Sequence, residues 1–207
     1  IGYITPDFKP TSNAASVRAS DFIDGLKEKY NVTVFTAIPN NDYVTISNIS
    51  KLPSNKDKNI VRLIKEIIFG IEYFLRILFS KKRDVYILTS PQFFIAIFAF
   101  FAVKIKNPKK IILDIRDIYP EVFFQHEIMK RDSIIGKVLI KIERYMYKNS
   151  NYIITVTEGL KKQIEPFNKN VKVVRNGYDE KLFTMNTEKY DNFTLVFHGT
   201  MGKFQNI

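Results

Sequence analysis

Short apolar runs of strand length alternate along this chain with segments whose apolar side chains recur at helical spacing, and no other feature restricts the possible folds as much. Ile1-Gly2-Tyr3-Ile4-Thr5 reads as a strand, and residues 6–12 carry turn chemistry. From Ala14 the positions Val17, Phe22, Ile23 and Leu26 keep helical register up to Asn31. A strand is predicted from Val32 to Ala37. Strand, loop, helix and strand in such quick succession is the signature of a right-handed βαβ unit on a parallel sheet.

Residues 39–59 are polar and read as a surface loop. Over residues 60–79, Arg62, Lys65, Glu66, Glu72 and Arg76 fall in one narrow helical stripe, with apolar side chains everywhere else. That predicts an amphipathic helix with a very wide apolar face and its charges on the solvent side. Further strands are expected at 84–90, 111–113, 152–156 and 171–174, and helices at 93–103, at 133–148 and from Glu158. The eleven-residue apolar run 93–103 is too short to cross a bilayer, which takes about 20 residues. Residues 193–197 read as one more strand, followed by a glycine-containing turn. This grammar is that of an α/β, doubly wound parallel sheet of Rossmann-like type. Residues 1–180 form its first domain, 181–192 a linker, and 193–207 the start of a second domain cut short.

Composition excludes several classes of function. With no cysteine there is no disulfide framework, thiolate metal site or cysteine nucleophile, and the two histidines, His126 and His198, stand far apart without carboxylates at metal-ligand spacing. A formal charge of +11 calls for an anionic partner: nucleic acid, anionic lipid or a phosphorylated substrate. Nucleic acid fits worst, because the aromatics lie in apolar runs and are not interleaved with Lys and Arg as a stacking surface requires. The first residues read as a strand and not as a signal sequence, which predicts a cytoplasmic protein.

Ligands of such sheets sit at the carboxyl ends of the strands, so the loops there are the candidate sites. The first loop runs through Asn13 and Ala14 into a helix start, which suits an anionic group or an ordinary N-cap. Asp114, Arg116, Asp117 and Glu121 crowd one eight-residue stretch after a strand of Ile and Leu. An arginine there can hold a phosphate or sugar hydroxyls, and a carboxylate can orient a hydroxyl or take its proton; the alternative is a salt-bridged loop before a turn. Asn176-Gly177 suits a hinge or a plain turn with positive φ. In His198-Gly199-Thr200-Met201-Gly202 the glycines would let backbone amides approach a phosphate.

Taken in order, these segments resemble a family. The loop and helix from Pro10 to Leu26 with Arg18, the Ser90-Pro91 pair, the run Asp114-x-Arg116-Asp117-x-Tyr119-Pro120-Glu121, Val173 to Asp179 with Asn176-Gly177, and Phe197 to Gly202 with Gln205 are similar to the retaining GT-B fold glycosyltransferases of family 4, in the branch that builds bacterial surface polysaccharides. The resemblance implies two facing Rossmann-like domains, the first binding the acceptor and the second a nucleotide sugar, here UDP-linked, with no cofactor and no obligatory metal. It implies Arg116 and Asp117 as catalytic residues, and Asn13, Ala14, Arg18, Ser90, Asp114, Glu121, Asn176, Gly199, Thr200 and Gly202 as substrate-binding ones.

Three positions depart from the family pattern. Arg116 stands where many members carry histidine, Asn13-Ala14 where many carry glycines, and Thr200 where arginine is frequent. The paired-glutamate motif that holds the donor is absent from these residues, so this chain alone is expected not to transfer sugar. The implied acceptor is a polyprenyl-diphosphate-linked glycan at the inner face of the cytoplasmic membrane, and Lys81-Lys82-Arg83 and Lys104, Lys106, Lys109 and Lys110 could meet its anionic headgroups or simply be solvated helix ends. Two other classes compete: a non-catalytic basic module that docks on membrane or polyanion, which has no need of carboxylates at a sheet edge, and a nucleotide-sugar epimerase of similar shape.

Overall fold

The computed structural model describes residues 1–38, 45–47, 59–90, 92–178 and 190–197. Its contacts divide the chain into two units, Ile1–Arg175 and Asn176–Ile207. In the first, strands and helices run β1 (Gly2–Ile4), α1 (Ala14–Lys27), β2 (Thr33–Thr36), β3 (Thr45–Ser47), α2 (Asn59–Phe79), β4 (Val85–Thr89), α3 (Phe93–Lys106), β5 (Lys110–Ile115), α4 (Glu121–Gln125), α5 (Ile134–Lys148), β6 (Tyr152–Thr155), α6 (Glu158–Ile164) and β7 (Val171–Val173). All strand pairings are parallel and form a seven-stranded sheet in the order β3-β2-β1-β4-β5-β6-β7. This is the doubly wound, Rossmann-like architecture that the alternation predicts. The order reverses between β1 and β4, and such a reversal opens a crevice at the carboxyl ends of those two strands.

Alternation along the strands sorts side chains to the two faces. Tyr3, Val34 and Ile87 pack with Ala19 and Ile23 of α1, whereas Ile4, Phe35, Tyr86, Leu88 and Leu113 pack with Phe69 and Tyr73 of α2, Phe100 of α3 and Met146 of α5. The buried Tyr73 hydroxyl donates to the carbonyls of Thr5 and Phe35, at 3.2 and 3.3 Å, pinning α2 to the ends of β1 and β2. Gly70 lets α2 approach α3 closely, since a Cβ at that position would collide with the Phe98 ring.

Five local expectations change. The polar stretch 39–59 contains β3, where three residues pair with β2 through the backbone ladder and leave no periodicity to read. Asp114 belongs to β5 and not to the loop after it; a buried guanidinium makes a carboxylate tolerable inside the strand, as described below. α4 is an additional five-residue helix. In α2 the charged stripe only partly faces solvent: Lys65 is exposed and Arg62, Glu72 and Arg76 are half-buried, but Glu66 is only 7 % exposed, while Ile64 and Ile68 are 52 % and 48 % exposed. Tertiary packing of Phe69, Tyr73 and Ile77 fixes this rotation of the helix.

The fifth change lies in the second unit, where residues 193–197 form no strand. Phe193 and Leu195 are 92 % and 86 % exposed, and among the described residues no neighbouring strand offers them a ladder. No described glycine has a positive φ, so Asn176-Gly177, read as a hinge or a plain turn, takes no left-handed turn conformation. Among the described residues no helix is long and apolar enough to cross a membrane.

Candidate functional site

The loops after β1, β4 and β5 meet at the crevice, and each is fixed by contacts that its sequence makes inevitable. Asn13 caps α1, its Oδ1 accepting from the Ser16 amide at 2.8 Å, and its Nδ2 donates to Asp7 Oδ1 at 3.1 Å. The other Asp7 oxygen accepts from Gln92 Nε2 at 2.9 Å. Asp7 therefore ties the start of α1 to the start of α3 across the switch point. Asn13 and Ala14 are exposed at this helix start.

Beneath the crevice lies a buried ion pair. Arg18 Nε and Nη2 donate to the two Asp114 oxygens at 3.0 and 2.9 Å, and Nη1 donates to the Val174 carbonyl at 3.0 Å. Both side chains are nearly inaccessible, at 4 % and 3 % exposure. With the two groups committed to each other in a forked pair, Arg18 and Asp114 join α1, β5 and the chain beyond β7 from below.

Arg116 and Asp117 follow β5 directly. An aromatic cluster holds their loop in place: the Tyr119 ring stacks on Phe93 with centroids 5.6 Å apart, and Phe123 meets Tyr119 edge-on at 5.1 Å. Asp117 lines a narrow pocket open to solvent, together with Ser90, Phe93, Tyr119, Glu143 and Tyr147. Burial raises the Tyr119 hydroxyl to about 12, with Asp117 and Glu66 adding to the effect, so the polar edge of α2 acts on this rim as well. Within the fold at this edge, Ser90 Oγ, Arg116 Nε and Gln92 Oε1 are buried without hydrogen-bond partners. Unmet polar atoms are rare inside proteins, which sets these three apart from the rest of the fold.

Sequence reasoning missed Glu143. It stands on α5 at core spacing with Leu139, Met146 and Tyr147, an acid on the apolar stripe, which is the signal that could have revealed it. Burial raises its carboxyl to about 7, against the opposing effects of the Tyr147 hydroxyl, which donates to it at 2.9 Å, and of Arg144. Glu143 and Tyr147 also line a second cleft, of about 480 Å³ of empty space, with Glu121, Arg131 and Arg144. Glu121 belongs to that cleft, where it accepts from Arg131, and not to the Asp117 pocket.

Of the remaining expected site residues, Asn176 lies in the second unit, where it is exposed, and Gly199, Thr200 and Gly202 lie outside the described residues. No group of His, Cys, Asp and Glu among the described residues could hold a metal ion. No protein-family model matches the chain, and no curated protein matches it.

Proposed function

We propose that the chain is the acceptor-side part of a retaining glycosyltransferase that moves a sugar from a UDP-linked donor to a polyprenyl-diphosphate-linked glycan in bacterial surface-polysaccharide synthesis. The observation that carries this reading is the exposed Asp117 carboxylate at the carboxyl edge of a doubly wound sheet, lining one pocket with Ser90, whose buried hydroxyl has no hydrogen-bond partner. In the reaction the acceptor hydroxyl oxygen bonds to the anomeric carbon on the same face from which the diphosphate departs, so that the bond from that carbon to the diphosphate breaks with retention of configuration. Asp117 orients that hydroxyl and takes its proton, and the nucleoside diphosphate leaves. Arg116 presents a guanidinium to phosphate or sugar oxygens, the role its delocalised charge and fork of donors suit best. Ser90 supplies a hydroxyl in the same pocket as Asp117.

Radiolabelled nucleotide sugars and membranes bearing lipid-linked acceptor test the reading on the full-length gene product. Asp117→Asn and Arg116→Met are expected to reduce label transfer into lipid by about 100-fold or more with unchanged thermal unfolding. Wild-type transfer that neither substitution alters would remove the site, and a full-length product that uses no donor would remove the activity.

A further inference from the structure

The outward side of α2 presents Val61, Ile64, Ile68, Ile71, Leu75 and Phe79, spaced 3, 4, 3, 4 and 4 residues apart, and each is between 43 % and 82 % exposed. A helical stripe of this length runs about 27 Å. Ordinary surface helices turn such a stripe inward. Here the inward side is filled separately by Phe69, Tyr73 and Ile77, and the polar edge bears Arg62 and Glu66, paired at 3.2 Å. The helix thus has two apolar faces, of which the sheet covers one.

At the carboxyl end of the stripe the chain continues as Lys81-Lys82-Arg83. The ends of α2 and α3 abut there, because Lys106 Nζ donates to the Leu78 and Ser80 carbonyls at 3.0 and 2.7 Å. Phe79, 82 % exposed, lies between the two bonded carbonyls in sequence, and Ile105, 62 % exposed, directly precedes Lys106. The Lys106 ammonium is destabilised by burial first and then by the nearby charges of Lys82 and Arg83. An apolar stripe ending in these positive charges matches the headgroup and acyl boundary of an anionic bilayer. A second copy of the chain fits less well, because pairing two molecules of net charge +11 along this face brings basic clusters toward each other and supplies no anion.

We infer that α2 is an interfacial membrane helix, its exposed Val61-to-Phe79 stripe lying in the plane of an anionic bilayer and Lys81, Lys82 and Arg83 contacting headgroups. The docking itself does not depend on the transferase reading. If that reading holds, the polar edge of α2 beside Tyr119 keeps the candidate site at headgroup depth, where a lipid-borne acceptor presents its sugar.

Flotation of the chain with vesicles of equimolar phosphatidylglycerol and phosphatidylcholine, against pure phosphatidylcholine, tests the inference. Binding is expected only to the anionic vesicles. Lys81→Ser with Lys82→Ser should weaken it about 30-fold, and Ile68→Asn with Ile71→Asn at least about tenfold. The indole of a Leu75→Trp variant, at an exposed position that leaves the core untouched, should be quenched by brominated lipid. No flotation of the wild type, equal flotation of folded variants, an unquenched indole in vesicle-bound Leu75→Trp protein, or a dimer in sedimentation equilibrium that Ile71→Asn dissociates while no vesicle is bound would each overturn it.

Discussion

Replacing Glu143 with Gln tests whether this carboxyl is neutral inside the fold. Its carboxyl rises from 4.5 to about 7, mainly because burial penalises the charged form. A rise of that size favours the protonated over the ionised form in the folded chain by about 3 kcal/mol relative to the unfolded chain. Between these two pH values the folded state binds the proton and the unfolded state does not. The stabilisation is therefore complete below 4.5 and is lost as pH rises through about 7. Gln keeps an acceptor for the Tyr147 hydroxyl but never ionises. Urea unfolding of wild type and Glu143→Gln at about pH 5 and about pH 8.5 should give nearly equal stabilities at the lower pH, with the variant ahead by about 2–3 kcal/mol at the higher. Taking the difference between the two proteins removes the background from Glu66, whose carboxyl burial also raises. A gap that is the same at both pH values would refute the reasoning, as would a variant that loses stability with pH as steeply as the wild type.

Removing one member of the buried pair, by Arg18→Met or Asp114→Leu, strands the other charge and should lower unfolding free energy by about 3–5 kcal/mol, while the double substitution recovers much of the loss in the same urea titration. Gly136→Ala should destabilise by about 1–3 kcal/mol, since its Cβ would lie 2.6 Å from the Lys130 carbonyl and 2.8 Å from that of Arg131; a thermal midpoint equal to wild type would contradict the packing at the start of α5. Asn13→Ala removes the α1 cap and one of the two bonds on Asp7, and should cost about 1 kcal/mol by chemical unfolding.

The fold could be read from the sequence wherever a pattern repeats over enough residues. Ala14 to Leu26, the run from Phe93 and the stretch from Ser133 to Lys148 all became helices, and Tyr152 and Val171 begin strands as expected. β3 could not be read, because a three-residue edge strand depends on its ladder with β2. For the site, the sequence drew attention to Arg116 and Asp117, since charge after a buried strand needs no tertiary information to be noticed, whereas only the fold shows that Asp117 and Ser90 line one pocket. That Arg18 meets Asp114 could not be seen in advance, as the two are 96 residues apart. Likewise, the rotation of α2 depends on which of two apolar faces finds the sheet. Glu143 was overlooked although its place on the apolar stripe of α5 could be read from the sequence; what the sequence does not give is its contact with Tyr147.

The three bonds of Arg18 also set an order of events for a chain emerging from synthesis. Its guanidinium is made early, yet its partners arrive 96 and 156 residues later, at Asp114 and at Val174. Until then α1 must keep a charge in water that the finished fold encloses, so the α1 face of the sheet cannot close over β1 and β2 alone. The pairing of β1 with β4 has the same character, with Gly2 opposite Tyr86. Closing such long loops costs entropy before any contact compensates it, and parallel sheets of this kind form slowly for that reason. The N-terminal βαβ segment, although first to be made, is thus expected to gain full protection from hydrogen exchange only once Asp114 and Val174 have reached Arg18.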